Sequence, residues 1–415
     1  LSLGKFVEEE WANRSECTAS ELLQTGQIAQ RVGSHRSQEL IRAAAAKADG
    51  DAALLAACYT AAANEGWEDS PDVHEWLATA IAASGDDGPI QRIDIGEMIS
   101  MQPDWAEREK RTWDQLAAGQ LPVFGGAQAL RRSLLDMSLL PALANLEEPD
   151  PRKRGMIFAF SGARPPGHVE ARRVAIDASA LLSIAFLGLL ERVLAHFDEV
   201  FISHGLLGWL FEERQRIQFH QPSRVRAALE IKRLIDSGQL SKFEGTVLVD
   251  DLLEREVGSE LASLIADAAG ATAENQHVVI RSYPVPRADT LLEESADLTG
   301  YETWIAGCGD LVTALKRQGY LTRAEEEQAN SYLSLHEKPW PHTTEIQPNA
   351  TLYLDSLTVD YLQHLNLLSR LRSAGFSVFI ATSETDEGDA LIRHQAFSEH
   401  AGRLIEEIRD ALSTG

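Results

Sequence analysis

The chain has 415 residues, of which 44% are hydrophobic and 24% charged, which is ordinary for a globular protein and enough for two or three domains. The chain has 38 Lys and Arg against 63 Asp and Glu, which gives a formal net charge of -25. This charge counts against a simple DNA-coating protein, and a nucleic-acid partner would need local basic patches, because basic side chains supply most non-specific affinity for polyanions. Three cysteines, far apart and without a CxxC pair, exclude a disulfide framework and a structural zinc site and favour a reducing cytoplasm.

The spacing of apolar residues predicts an all-helical region over residues 1–145. Apolar residues recur at spacings of three and four over 37–48, 51–65 and 71–83, and two further helices are expected at 105–116 and 128–140. The many alanines are typical of closely packed helices, so a TPR-like array stays open beside a plain helical bundle, although no repeat of about 34 residues can be followed. These helices are the expected surface for a protein partner.

Residues 146–173 predict a connector, because four prolines interrupt any regular pattern. Basic residues gather there in an otherwise acidic chain: Arg152, Lys153, Arg154, Arg164, Arg172 and Arg173. Such a segment is either a solvated linker or a strap that faces RNA.

Residues 174–415 predict an α/β domain with a central parallel sheet. Strands are expected at 174–177, 200–203, 351–354 and 377–381, with a weaker one at 247–249, and helices alternate with them. The apolar run 178–190 is too short to span a membrane. Residues 251–345 are interpreted as a mainly helical insertion into this domain. Because the chain begins with Leu1, we expect it to be a piece of a longer protein.

Acidic residues follow three of the predicted strands. Asp177 and Asp355 each end an apolar strand, and Glu384, Asp386 and Glu387 follow a third. If these strands are neighbours in one parallel sheet, their carboxylates meet at one edge, where ligands bind in such folds. Clustered carboxylates suit Mg²⁺ or Mn²⁺, which activates water toward a phosphodiester. Each Asp is equally a good N-cap for the helix that follows it.

Two segments carry a family resemblance. Val174-Ala-Ile-Asp177-Ala-Ser-Ala-Leu-Leu, followed by Phe197-Asp-Glu-Val-Phe-Ile-Ser203, resembles the opening of a PIN domain. Leu352-Tyr-Leu-Asp355-Ser and the later Ile-Ala-Thr-Ser-Glu384-Thr-Asp386 resemble its closing acid, strand and Thr-x-Asp pattern. The chain is similar to the PIN-like domains of large bacterial TPR-containing proteins.

The resemblance implies a three-layer α/β fold and a metal-dependent endoribonuclease. It also suggests that the chain comes from a bacterial defence or stress-response protein. It makes Asp177 the first acid of the family, Asp355 the third and Asp386 the fourth, all three being ligands of Mg²⁺ or Mn²⁺. The second acid is expected near Gly208 or Trp209, where this sequence has none. Glu212 or Glu213 would have to replace it from one helical turn further along.

Two functions therefore stay open at the level of sequence. One is an active endoribonuclease, and the other is a catalytically degenerate PIN-like interaction or signalling module beside helical repeats. Arg214, Arg224 and Arg226 are candidates for binding RNA phosphates, with salt bridges to acids as the alternative.

Overall fold

A computed structural model describes residues 3–85, 88–91, 94–143, 170–218, 221–245, 249–271, 275–290 and 294–413. Most of the predicted basic connector, 144–169, lies outside the described residues. The chain divides into two compact units, the first formed by 1–224 with 393–415 and the second by 225–392. These limits differ from the predicted domain limits at 145 and 173. No described helix is both long enough and apolar enough to cross a membrane.

The first unit begins with five helices that share one hydrophobic core. They are α1 (Leu3–Ala12), α2 (Ala19–Arg31), α3 (Ser37–Ala46), α4 (Ala52–Glu65) and α5 (Pro71–Ser84). Helix α2 starts where the Thr18 hydroxyl accepts the backbone N–H of Glu21 while the Glu21 carboxylate accepts that of Thr18. Asp51 caps the start of α4, and Gly66, whose φ of 73° suits glycine, caps its end. The three helices predicted between 37 and 83 are confirmed, whereas a TPR array stays a prediction.

Three more helices follow: α6 (Ile95–Ala117), α7 (Val123–Ala129) and α8 (Leu134–Leu143). The prediction of a single helix over 128–140 is wrong, because the chain turns between α7 and α8 within this range. Arg131 has a φ of 53°, and the Ser133 hydroxyl accepts the N–H of Leu135 at 3.1 Å, so a new helix begins there. Uninterrupted apolar periodicity across 128–140 concealed this turn.

The first unit also contains a small parallel sheet. Strand β1 (Arg173–Ala175) is followed by α9 (Ala178–Phe186), α10 (Leu190–Leu194), β2 (Glu199–Phe201) and α11 (Leu206–Ile217). Strands β1 and β2 pair only with each other among the described residues. Apolar side chains of α9 and α11 pack with those of α8 and with Phe397 and Ile408 near the chain's end, giving the unit its second core.

The second unit is built on a five-stranded, all-parallel sheet. Its elements in chain order are α12 (Pro222–Asp236), which starts just before the unit, β3 (Ser241–Lys242), α13 (Asp251–Val257), α14 (Ser259–Gly270), β4 (His277–Ile280), β5 (Ile305–Ala306), α15 (Cys308–Arg317), α16 (Arg323–His336), β6 (Thr351–Leu354), α17 (Ser356–His364), α18 (Leu368–Leu371), β7 (Ser377–Ile380) and α19 (Thr382–Ser413), which runs on past it. The strand order is β3-β7-β6-β4-β5.

Both faces of this sheet are covered. From β6, Leu352 and Leu354 enter a core formed with α15, α17 and α18, while Tyr353 enters a second core with α13 and α14. Full burial of β6 fits a strand at the centre of a parallel sheet. The mixed α/β class with a parallel sheet is thus confirmed; the PIN-type three-layer arrangement stays a prediction.

Two expectations about this sheet are wrong. Strand β1 is not a neighbour of β6 and β7, because it belongs to the separate two-stranded sheet. The segment 251–345 is not an insertion, because its strands β4 and β5 extend the sheet and β4 pairs directly with β6. Strand β3 lies at Ser241–Lys242, and most of the strand expected at 247–249 lies outside the described part of the chain.

The β1-to-β2 segment and the β6-to-β7 segment are two copies of one βαβ motif. We define the first copy as residues 172–203 and the second copy as residues 350–381, whose numbers differ by 178 at every matched position. Identical residues include Asp177 and Asp355, Leu190 and Leu368, and the runs Val200-Phe-Ile202 and Val378-Phe-Ile380. The strand registers also correspond, since Arg173 pairs with Glu199 and Thr351 with Ser377.

Candidate functional site at the carboxyl ends of the parallel strands

Asp177 and Asp355 occupy the same backbone position in the two copies. Each residue caps the helix after its strand, with φ and ψ of -84° and 171° for Asp177 and -83° and 171° for Asp355. Oδ1 of Asp177 accepts the N–H of Ala180 at 2.8 Å, and Oδ1 of Asp355 accepts that of Thr358 at 2.9 Å. Both aspartates are therefore N-caps, and any further role depends on the second carboxylate oxygen.

The surroundings of Asp177 are open. Asp177 is exposed and lines a hollow of about 580 Å³ within the first unit. Two serines, Ser179 and Ser203, and two aromatic residues, Phe124 and Trp209, also line this hollow. An apolar hollow with a few polar groups at the carboxyl ends of parallel strands is the usual form of a ligand site in α/β folds.

The surroundings of Asp355 are closed. The residue is only 5% exposed, and its Oδ2 forms a short ion pair with the guanidinium of Arg281, which follows β4. With Oδ1 held by Thr358, both carboxylate oxygens have protein partners. The two copies thus present the same aspartate in opposite states, exposed in the first and neutralised in the second.

Two further titratable groups, a thiol and a carboxyl, lie near Asp355, and the sequence did not indicate either of them as part of a site. The Cys308 thiol is fully buried, and its pKa is raised by burial and then by the negative charges of Glu337 and Asp355. Burial also raises the pKa of Glu337, against a lowering by its hydrogen bond from the N–H of Gly309. The Oε2 of Glu337 and the Nε of Arg281 are buried without a hydrogen-bond partner.

No motif marks Glu337 or Arg281 in the sequence. The only available signal for Arg281 was its place directly after the apolar strand His277-Val-Val-Ile280, where a charged side chain falls at the sheet edge. Glu337 follows α16 and approaches the strand ends only through tertiary packing.

A high thiol pKa makes Cys308 a poor nucleophile, because the thiolate is the reactive form.

Asp386 is exposed in the early part of α19, which begins where neighbouring strand β7 ends. Strands β6 and β7 are adjacent, so Asp355 and the start of α19 share one sheet edge, as expected. Among the described residues, however, no group of three or more His, Cys, Asp or Glu is arranged to hold a metal ion. The assignment of Asp177, Asp355 and Asp386 as metal ligands stays a prediction.

Glu213 is 2% exposed and bonds α11 to the start of α8. Its Oε2 accepts the Ser133 hydroxyl at 2.6 Å and the N–H of Leu134 at 2.9 Å, and its Oε1 pairs with Arg216 at 3.0 Å. These contacts hold the start of α8 against α11. Glu212, by contrast, is exposed and lines a different surface hollow from that of Asp177.

The three predicted phosphate-binding arginines have protein partners. Arg214 pairs with Glu406 at 2.9 Å, with both side chains 45% exposed. Arg224 and Arg226 are exposed at the start of α12 and also take part in polar or electrostatic contacts. For Arg214, the salt-bridge alternative is the one observed.

Comparison with known protein families gives a match to part of the chain. A family model described as HTH_upstream_double_PIN matches residues 95–164, which is well short of half the chain, and of these the structure describes 95–143 with α6, α7 and α8. No curated protein matches the sequence. No solved structure matches it either. The match indicates a PIN-related protein, without support for the TPR-containing bacterial context.

Proposed function

We propose that this chain belongs to a PIN-type metal-dependent endoribonuclease, and that RNA phosphodiester hydrolysis takes place at the Asp177 edge of the first copy. The observation that carries the proposal is the exposure of Asp177 in the hollow at the carboxyl ends of β1 and β2. The duplicated βαβ motif supports it, because the matching family model is named for two PIN domains. We expect the protein to act in the cytoplasm, where the three cysteines stay reduced.

The residues of the Asp177 edge fit a hard divalent cation. Mg²⁺ is commonly held by one or two carboxylates together with waters and substrate phosphates, so it does not require a complete protein cage. Asp177 offers a carboxylate, and Ser179 and Ser203 offer neutral oxygens in the same hollow. The Asp355 edge does not fit, because Arg281 already neutralises that carboxylate.

Bound Mg²⁺ or Mn²⁺ would supply an activated water and stabilise the leaving oxygen. Asp177 would hold the cation, while its Oδ1 stays fixed by the N–H of Ala180. Trp209 and Phe124 offer aromatic faces on which an unpaired base can stack, a contact that does not depend on base identity. Arg224 and Arg226 remain proposed contacts for RNA phosphates, each at the expense of its present partner.

The helices of the matched region serve a structural role in this proposal. Helices α7 and α8 are joined by a short turn, which is the outline of a helix-turn-helix. The second helix of that motif usually reads the DNA major groove. In α8, however, Leu134, Leu135 and Leu139 are buried in the core beside α9 and α11. We therefore propose that α8 anchors the first copy and that protein partners bind the helices before it.

The test is cleavage of single-stranded RNA with Mn²⁺ by the wild type, Asp177→Asn and Asp355→Asn. Asparagine keeps the helix-capping oxygen in both variants. Because Asp355→Asn also removes the ion pair with Arg281, it serves as the control when rates are compared per folded molecule. We expect a loss of at least about 100-fold in Asp177→Asn, the size typical of removing a principal group in the chemical step, and near wild-type rates in Asp355→Asn. Equal rates in all three proteins would contradict the proposal.

A second candidate function is the degenerate PIN-like interaction module, and the Arg281–Asp355 ion pair favours it. In that case the wild type gains no thermal stability from Mn²⁺, whereas Arg281→Gln does gain it, because Asp355 becomes available. Arg370→Gln, which removes an ion pair with Glu325 elsewhere in the second unit, is the control for lost charge. Stabilisation of the wild type by Mn²⁺ that disappears in Asp177→Asn would contradict this alternative.

A further inference from the structure

The two βαβ copies differ in how completely they are covered. In the second copy every residue of β6 is buried, and Tyr353 and Phe379 pack with α13 and α14. The matched positions of the first copy are Ala175, which is exposed, and Phe201, which is 54% exposed. Strands β1 and β2 also have no further strand partner among the described residues. Among the described residues, the first copy is therefore the same motif without flanking strands on either side.

The order of strands along the chain makes this arrangement unusual. After β2 the chain runs through α11 and α12 directly into β3, and strands that follow one another in this way are neighbours about two times in three. Strand β3 instead pairs with β7, which lies more than a hundred residues further on. The position beside β3 and β4 that local connectivity favours for the first copy is thus filled by the second.

We propose that the two copies are alternative occupants of the position between β3 and β4. In the alternative state β1 pairs with β4 and β2 with β3, in the register that β6 and β7 now use. This inference does not depend on whether Asp177 takes part in RNA cleavage. Its consequence is an exchange of states, because the copy inside the sheet has its aspartate beside Arg281 while the copy outside exposes its own.

The matched numbering predicts which residues meet. His277 of β4 now pairs with Thr351, so in the alternative state it pairs with Arg173. Glu199, the neighbour of Arg173 on β2, would stay one strand further away. Adjacent parallel strands lie about 4.8 Å apart, within the Cα separation that a disulfide spans.

The experiment is disulfide trapping in the full chain, with Cys17→Ser to remove the partly exposed thiol and with the buried Cys58 and Cys308 retained. Three pairs are compared under mild oxidation: His277→Cys with Thr351→Cys, with Arg173→Cys, and with Glu199→Cys. We expect intrachain cross-links for the first two pairs and at least a tenfold lower yield for the third. Replacement of His277 is common to all three, so its effects cancel.

The balance between the two states can be shifted by one side chain. Tyr353 fills space that Ala175 would leave empty, and its hydroxyl also bonds to Asp267 and His277. Tyr353→Ala should therefore increase the yield of the 173–277 cross-link several-fold. Leu264→Ala weakens the same core without distinguishing the copies and should leave the ratio of the two cross-links unchanged.

Three outcomes would overturn the proposal. The first is complete closure of the 351–277 pair with no 173–277 cross-link, with and without Tyr353→Ala. The second is a 199–277 yield equal to that of 173–277, which would indicate random collisions. The third is a 173–277 cross-link found only between two chains, which would indicate exchange between molecules.

Discussion

Single carboxylates in this chain have roles that depend on their partners more than on their place in the sequence. Asp177 and Asp355 share one backbone geometry, yet one is exposed and the other forms an ion pair with Arg281. Glu212 and Glu213 are adjacent, yet one faces solvent and the other is 2% exposed. The sequence located strand ends that carry acids, but it contained no information on which acids a distant arginine or serine would engage.

Glu213 offers a clear test at this scale. Glu213→Ala removes the acceptor for the Ser133 hydroxyl and for the N–H of Leu134, so this N–H at the start of α8 loses its partner. We expect a loss of about 2 kcal/mol in the free energy of unfolding, because hydrogen bonds to a charged group contribute about that much. Urea denaturation followed by circular dichroism measures it.

Glu212→Ala is the matched control for this prediction. Its side chain is exposed, so the change should alter the free energy of unfolding by no more than about 0.5 kcal/mol. If the two variants were equally stable and Glu213→Ala instead abolished Mn²⁺-dependent RNA cleavage, Glu213 would be a catalytic acid rather than a structural one.

The elements were predicted best where local rules decide them. Helices with a clear cap, such as α4 after Asp51, and apolar strands, such as β6 and β7, were located within a few residues. The turn between α7 and α8 was missed because apolar spacing continues through it. The break between α9 and α10 follows a residue that local rules can recognise, Gly188, with a φ of 65°.

Local sequence rules could not predict which strands belong to the same sheet. The strand signals of β1 and β6 are nearly the same, since both are short apolar runs ending in aspartate. Their similarity suggested neighbours in one sheet, whereas the structure makes them matched strands of two copies. The repeat itself was readable, because aligned runs such as Val200-Phe-Ile202 and Val378-Phe-Ile380 recur at constant spacing.

The turn after the first helix of each copy gives a prediction at the scale of elements. Gly188 and Asn366 occupy matched positions with φ of 65° and 55°, the left-handed region that glycine and asparagine accept best. Gly188→Asn should therefore cost less than about 1 kcal/mol of stability, and Gly188→Val about 2 kcal/mol.

Steric contact does not complicate this comparison. A Cβ added at Gly188 meets no atom within 4 Å, so the cost is conformational. Thermal unfolding of both variants beside the wild type measures the difference. Equal melting temperatures for the Asn and Val variants would mean that the turn does not require a left-handed residue.

At the scale of the whole molecule, charge opposes the proposed substrate. A net charge of -25 repels RNA at long range, and the cluster of basic residues in the connector is largely outside the described part of the chain. Aromatic stacking and a cation on Asp177 attract RNA only at short range. Electrostatic repulsion should thus slow the approach of RNA, and the short-range contacts should hold it once it reaches the site.

This balance predicts an unusual response of RNA cleavage to salt. Raising monovalent salt from about 0.01 M to about 0.15 M shortens the screening length from about 30 Å to about 8 Å. Because repulsion is then screened, kcat/KM of the wild type at fixed, saturating Mn²⁺ should rise several-fold, whereas it falls for nucleases that attract RNA by basic surfaces. Asp177→Asn should stay inactive throughout the series. A steady fall in kcat/KM with salt would instead mean that a local basic surface, such as Arg152 to Arg173, governs RNA capture.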